Sequence, residues 1–183
     1  QTEKSVDTTM DGLGVFTLKS WTGKASATII FDSDVDEYTD DGLFKKVKGK
    51  RNVALVAFTA DGDVFGGFYN VAVTEQNNKF YDPNMFVFSF ESHGRCMTPQ
   101  RFVVKEDKRR YKSVEFFKNR SFGWFVNYGV NYGFFILGNE KSNSLCANLS
   151  SGFEGIEDDT LTGNTYPRRS FTCTRIVAVY LGN

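Results

Sequence analysis

Val53-Ala-Leu-Val-Ala-Phe-Thr-Ala-Asp61-Gly62-Asp-Val-Phe65-Gly66-Gly67-Phe68-Tyr69 is the stretch that decides the fold. Residues 53–58 are apolar at both odd and even positions, the pattern of a strand covered on both faces. Asp61-Gly62 supplies a tight turn, because Gly accepts the positive φ that such turns need. Residues 64–69 then return as a second strand. Its two glycines let the chain bend or accept a close backbone neighbour, and Phe65 and Phe68 anchor opposite sides of the sandwich. The expected role of Asp61, Gly62, Phe65, Gly66, Gly67 and Phe68 is maintenance of the fold.

Strand signals continue outward from this hairpin. Phe86, Phe88 and Phe90 share one face of a third strand, and further runs follow at residues 102–104, 114–117, 122–126, 134–137 and 145–149. The longest is 171–181, whose second half is apolar on both faces. Upstream, residues 27–31 form a short β-branched run that ends in the acidic stretch Asp32-Ser-Asp34-Val-Asp36-Glu37. The period then changes: Leu43, Phe44 and Val47 share a helical face, which predicts a helix over residues 41–48 with Asp40 as cap and Gly49 at the left-handed position after its end. Residues 1–15 read as a polar tail and residues 16–183 as one domain. The expectation is a mainly β (α+β) protein, a sandwich of about eight to ten antiparallel strands with one or two peripheral helices.

Composition agrees and excludes other classes. The chain has 183 residues, 19 of them Phe and 17 Gly, with 40% hydrophobic and 24% charged residues, too apolar for a disordered segment. The charged residues balance, 22 basic against 22 acidic. Cys96, Cys146 and Cys173 are odd in number and widely spaced, so they suggest neither a disulfide framework nor a zinc knuckle. With no run of membrane-spanning length and no signal-peptide pattern, a cytoplasmic protein is expected. The sequons at Asn119 and Asn148 are read as chance.

Several enzyme signatures start and fail. Ile29-Ile-Phe-Asp32-Ser-Asp34 is an apolar strand ending in Asp-x-Asp, as in haloacid-dehalogenase-type phosphatases, where the first Asp attacks phosphorus and the second is acid/base. Asp36 stands where those enzymes have Thr or Val, and the alternating helices of a doubly wound fold are missing. Asp32, Asp34 and Asp36 also imitate the start of a calcium loop. Glu37 then occupies the position that needs Gly, and Leu43 the position that needs a bidentate Glu. The favoured reading is a solvated acidic turn before a helix N-terminus. His93 and Cys96 lie close in sequence, yet no local motif supplies an orienting partner or an oxyanion hole. No catalytic residue, no metal and no cofactor is expected.

The remaining binding signal is aromatic and basic. Arg120-Ser-Phe122-Gly-Trp124-Phe125-Val-Asn-Tyr128 is similar to the base-stacking strand of RNA-recognition and cold-shock domains, with Ser121 at the expected Gly. Arg120, Phe122, Trp124 and Phe125 are therefore candidate nucleic-acid contacts. A net charge of zero gives no domain-wide attraction for phosphate, so this reading is disfavoured. The clusters around Lys45–Arg51 and Lys105–Arg110 adjoin or contain acidic residues and read as solvated faces.

Taken together, the order of these pieces resembles the TLDc domain, the module of the oxidation resistance proteins. The likeness is clearest in the strand, turn and Phe-Gly-Gly-Phe hairpin quoted above. It continues in Phe86-Val-Phe-Ser-Phe90, Tyr132-Gly-Phe-Phe-Ile-Leu137, Ser144-Leu-Cys146, Leu161-Thr-Gly163 and the final strand, over about residues 20–181. Two departures mark a divergent member: Val177-Ala-Val-Tyr180 lacks the acidic residue that usually precedes an aromatic there, and the glycine-rich stretch is diluted to Asn127-Tyr-Gly-Val-Asn-Tyr132. The resemblance implies a non-catalytic, protein-binding domain with a role in oxidative-stress protection. For several members it also implies binding to the vacuolar-type proton ATPase.

Overall fold

The structure is a computed structural model and describes residues 14–141, 143–164 and 167–183; nearly all of the expected 1–15 tail lies outside the described residues. Among the described residues, two six-stranded antiparallel sheets face one another and form no closed barrel. The first has the order β1 (Ser26–Asp32), β12 (Cys173–Gly182), β2 (Val53–Thr59), β3 (Val64–Tyr69), β5 (Phe86–Glu91), β6 (Gln100–Val103). The second runs β11 (Ser170–Phe171), β10 (Ser144–Ala147), β9 (Phe134–Gly138), β8 (Trp124–Val130), β7 (Lys112–Phe116), β4 (Phe80–Tyr81). The first and last strands therefore lie side by side in the first sheet, where β12 is inserted between β1 and β2.

The two-faced strands of the sequence lie at the centre of that sheet for a simple reason. Val53, Leu55 and Ala57 of β2 and Ile176 and Ala178 of β12 point into the core between the sheets. Ala54, Val56, Val177, Val179 and Leu181 point the other way, into a second cluster on the outer face. That outer cluster is roofed by α1 (Val15–Thr22), whose Trp21 ring lies 6.1, 5.6 and 5.9 Å from the rings of Phe86, Phe88 and Phe90. The expected single-face triplet of β5 is thus the seat of a helix.

The predicted helix is α2 (Asp40–Val47), and it sits one residue earlier than the spacing suggests. Thr39, not Asp40, is the cap: its backbone is extended and its side chain accepts a hydrogen bond from Gly42 N at 2.9 Å. Asp40 and Asp41 then occupy the first turn and Lys45 and Lys46 the last, a charge order that suits the helix dipole. Gly49 takes φ 74° after the helix, as the sequence predicts. The helix lies outside both sheets, but Leu43, Phe44 and Val47 join the inter-sheet core, and the Phe44 ring is 5.7 Å from that of Phe116.

Two other differences have local causes. The strand expected from Phe122 begins at Trp124, because Gly123 at φ 73° closes a turn onto Arg120 O. The long terminal strand is divided: Phe171 pairs with β10 in the second sheet, and from Cys173 the chain pairs with β2 in the first. A single residue, Thr172, carries it across the sandwich.

Candidate interaction surface at one end of the sandwich

Antiparallel register brings the end of β1, the start of β12, the β2–β3 turn and the end of β5 to one end of the first sheet. The starts of β8 and β10 and the end of β9 lie at the same end of the second, because the Tyr38 hydroxyl reaches both Cys173 O (2.9 Å) and Gly138 O (3.3 Å). This end carries most of the residues singled out in the sequence.

The hairpin motif divides between fold and surface. Phe65 is fully buried in the inter-sheet core and Phe68 in the outer cluster, so the two rings lie on the two faces of the first sheet rather than on opposite sides of the sandwich. Gly67 lies under the Tyr128 ring of the facing sheet, with no room for a side chain. The Tyr128 hydroxyl lies 2.6 Å from both Phe68 O and Phe86 O and donates to one of them at a time, tying β8 to the first sheet. Of the six residues, Asp61 and Gly62 are exposed, with Gly62 at φ 89° in the turn.

Asp32 is engaged by Arg175. Arg175 Nε donates to Oδ1 at 3.0 Å and Nη2 to Oδ2 at 2.7 Å, and Asp34 N donates to Oδ1 at 3.0 Å. Asp34 lies 3.3 Å from Arg175, and Asp36 accepts the Asp32 N–H at 2.8 Å and faces Lys46 at 3.7 Å. Burial pushes the Asp32 carboxyl up, but the guanidinium and the Asp34 N–H outweigh it and hold the group below the usual carboxylate range. The pair's stabilisation is therefore present above that range and is lost as pH falls through the depressed value, below about 4. Asp32→Asn should cost about 2 kcal/mol in urea unfolding at neutral pH, since it turns a charged bidentate pair into weaker bonds around a buried cation. Unchanged stability would mean that the ion pair contributes nothing net.

Next to it, Asp63 is almost wholly buried and takes two partners on one oxygen: Arg95 Nη2 at 2.7 Å and His93 Nδ1 at 2.8 Å. Arg95 also donates to Thr160 O and Leu161 O, so the 92–96 loop is pinned to the 157–163 loop. His93 thus turns to Asp63, while the Cys96 N–H bonds to Ser92 Oγ. Sequence reasoning missed both ion-pair centres. An Arg among the apolar residues of β12 was the available signal for the first, and nothing local marked the second. All three cysteines are free thiols; burial pushes Cys146 and Cys173 up to about 12, and Cys96 is the more accessible. Among the described residues, no group of three or more His, Cys, Asp or Glu is placed to hold a metal ion.

The nucleic-acid candidates are brought together in part. Phe122 is 67% exposed and its ring lies 5.1 Å from that of Trp124, which donates to Asn143 O. Arg120 covers the Phe117 ring at 4.2 Å and pairs with Glu115 at 3.4 Å. Phe125 is buried against Tyr38 and has no face to offer a base. An open groove of about 250 Å³ runs beside them, lined in part by Tyr38, Asp40, Arg120 and Trp124.

Comparison with known proteins places this geometry. No curated protein matches the chain. A family model does, that of the TLDc domain, over residues 13–162; it includes the hairpin, both ion-pair carboxylates and the groove, and it stops before β12. By that match, which spans most of its length, the chain belongs to the TLDc family.

Proposed function

We propose that this TLDc domain is a non-catalytic protein-interaction module of the cytoplasm, acting in oxidative-stress protection through binding to the peripheral sector of a vacuolar-type proton ATPase. The family match carries the reading. Two features support it: four of the six hairpin residues are consumed in packing, and the carboxylate of Asp32 is held by Arg175. Among the described residues no helix is long and apolar enough to cross a membrane.

The test is affinity capture from cell extract, with and without nuclease. Pump subunits recovered in both conditions are the expected result. Magnesium-dependent phosphate release that disappears in Asp32→Asn would overturn the non-catalytic reading. The exposed Phe122–Trp124 pair beside Arg120 favours one second reading, single-stranded nucleic-acid binding. It predicts capture that is lost with nuclease, and tight, salt-sensitive binding abolished by Trp124→Ala in a folded protein.

A further inference from the structure

The balanced net charge conceals an uneven placement. Asp32, Asp34, Asp36, Asp40 and Asp41 gather at the end described above, where Arg175, Arg95, Arg120 and Lys46 also lie. Register places the two basic clusters at the other end: Lys48, Lys50 and Arg51 lead into β2, and Lys105, Lys108, Arg109 and Arg110 lie between β6 and β7. Strands β2 and β6 are three strand spacings apart, so their axes are separated by about 15 Å across the sheet, a span that a short extended peptide covers.

The second cluster is held in place by aromatic rings. Residues Glu106–Tyr111 form a 3-10 helix that sets Lys108 over the Tyr132 ring at 4.7 Å and Arg110 over the Tyr111 ring at 4.8 Å, while the two rings lie 5.1 Å apart. Tyr132 is itself fixed at a strained φ of 57°, two residues after Val130 at 52°. The buried Lys112 secures that turn from beneath, donating to Asn131 O, Tyr132 O and Gly133 O at 2.8, 2.9 and 2.7 Å. Long cationic side chains that are already ordered lose less freedom when they bind.

We propose that this end of the sandwich binds a carboxylate-rich segment of a protein partner, with Lys105, Lys108 and Arg110 as its discrete cation positions and the 48–51 turn as the far end of the site. The inference rests on the protein-interaction reading and gives the partner its chemistry. Carboxylate is favoured over nucleic acid because Lys108 already lies over one face of the Tyr132 ring, and Arg110 leans over the hydroxyl end of the Tyr111 ring, donating to its oxygen at 2.6 Å, which hinders base stacking on those sides. Glu106 and Asp107 interrupt the basic run, with Asp107 3.3 Å from Lys108, so the cations stand as separate positions rather than a continuous track. An exposed guanidinium matches a carboxylate with two parallel hydrogen bonds.

The experiment is fluorescence anisotropy with a labelled polyglutamate peptide and a single-stranded oligothymidylate of equal charge. The peptide should bind more tightly, and Lys108→Glu with Arg110→Glu should weaken it by about tenfold or more, the neutral Gln pair giving an intermediate loss. Glu37→Lys at the opposite end should leave affinity unchanged. Far-UV and near-UV circular dichroism establish that each variant is folded. Absence of peptide binding, indifference to the charge reversals, or tighter binding of the oligonucleotide through the same residues overturns the proposal. Partner capture by the charge-reversed chain at the wild-type level overturns this surface and leaves the interaction reading standing, whereas failure of the wild-type chain to capture any partner removes that reading itself.

Discussion

Gly66→Val is expected to leave no stably folded protein. A Cβ at residue 66 would meet the Leu55 carbonyl of β2 on one side and stand 2.9 Å from Phe88 Cζ of β5 on the other. Neither neighbour can retreat. Leu55 is bonded through β2 to β12 as well as to β3, and the Phe88 ring is fully buried under Trp21. The residue's backbone torsion is ordinary, so the penalty is collision alone, and relief would require parting two central strands. Overpacking at such a site costs upwards of about 4 kcal/mol, comparable to the whole stability of a small domain, roughly 5–15 kcal/mol. Gly23→Ala provides the contrast: its Cβ would meet nothing within 4 Å, and its φ of 72° alone sets the cost, about 1 kcal/mol. Thermal unfolding by near-UV circular dichroism separates the two. A cooperative transition for Gly66→Val close to that of the wild type would show that the hairpin glycines are not packing sites.

What the sequence revealed follows the same physics. Apolar alternation is a property of consecutive residues, so β2, β3, β5 and the second half of β12 were legible, as was the face of α2. Register and cross-sheet contacts join residues far apart in the chain, and no local pattern encodes them. Arg175 meets Asp32 across 143 positions and Arg95 meets Asp63 across 32, so the acidic turn looked solvated although Asp32 is buried. The cap moved from Asp40 to Thr39 because capping depends on which residue leaves the extended region, and neighbouring candidates look alike in sequence. The two basic clusters read as separate solvated faces; strand register brings both to the same end of the sandwich.

Lys112→Met should be costly, and its cost should depend on pH in a direction that local sequence gives no hint of. Lys112 is fully buried, its ammonium 4.2 Å from the Phe153 ring centroid and bonded to three consecutive carbonyls. Methionine preserves most of the stem volume but leaves Asn131 O, Tyr132 O and Gly133 O without that donor, at an expected cost of about 3–5 kcal/mol in urea unfolding. Burial pulls the Lys112 amine down to about 7, against about 10.4 in an unfolded chain. Between those values the unfolded chain holds the extra proton, so the wild-type protein gains stability as pH rises, by up to about 1.4 kcal/mol per unit. Methionine cannot titrate. The difference between wild type and variant should therefore widen from pH 7 to pH 10, with all other groups shared by the two proteins. A difference that stays flat would mean that the three carbonyls hold the ammonium charged against its burial. Loss of the ammonium also removes what secures Val130 and Tyr132 in their strained conformations, so the variant should bind polyglutamate more weakly while every surface cation remains in the chain.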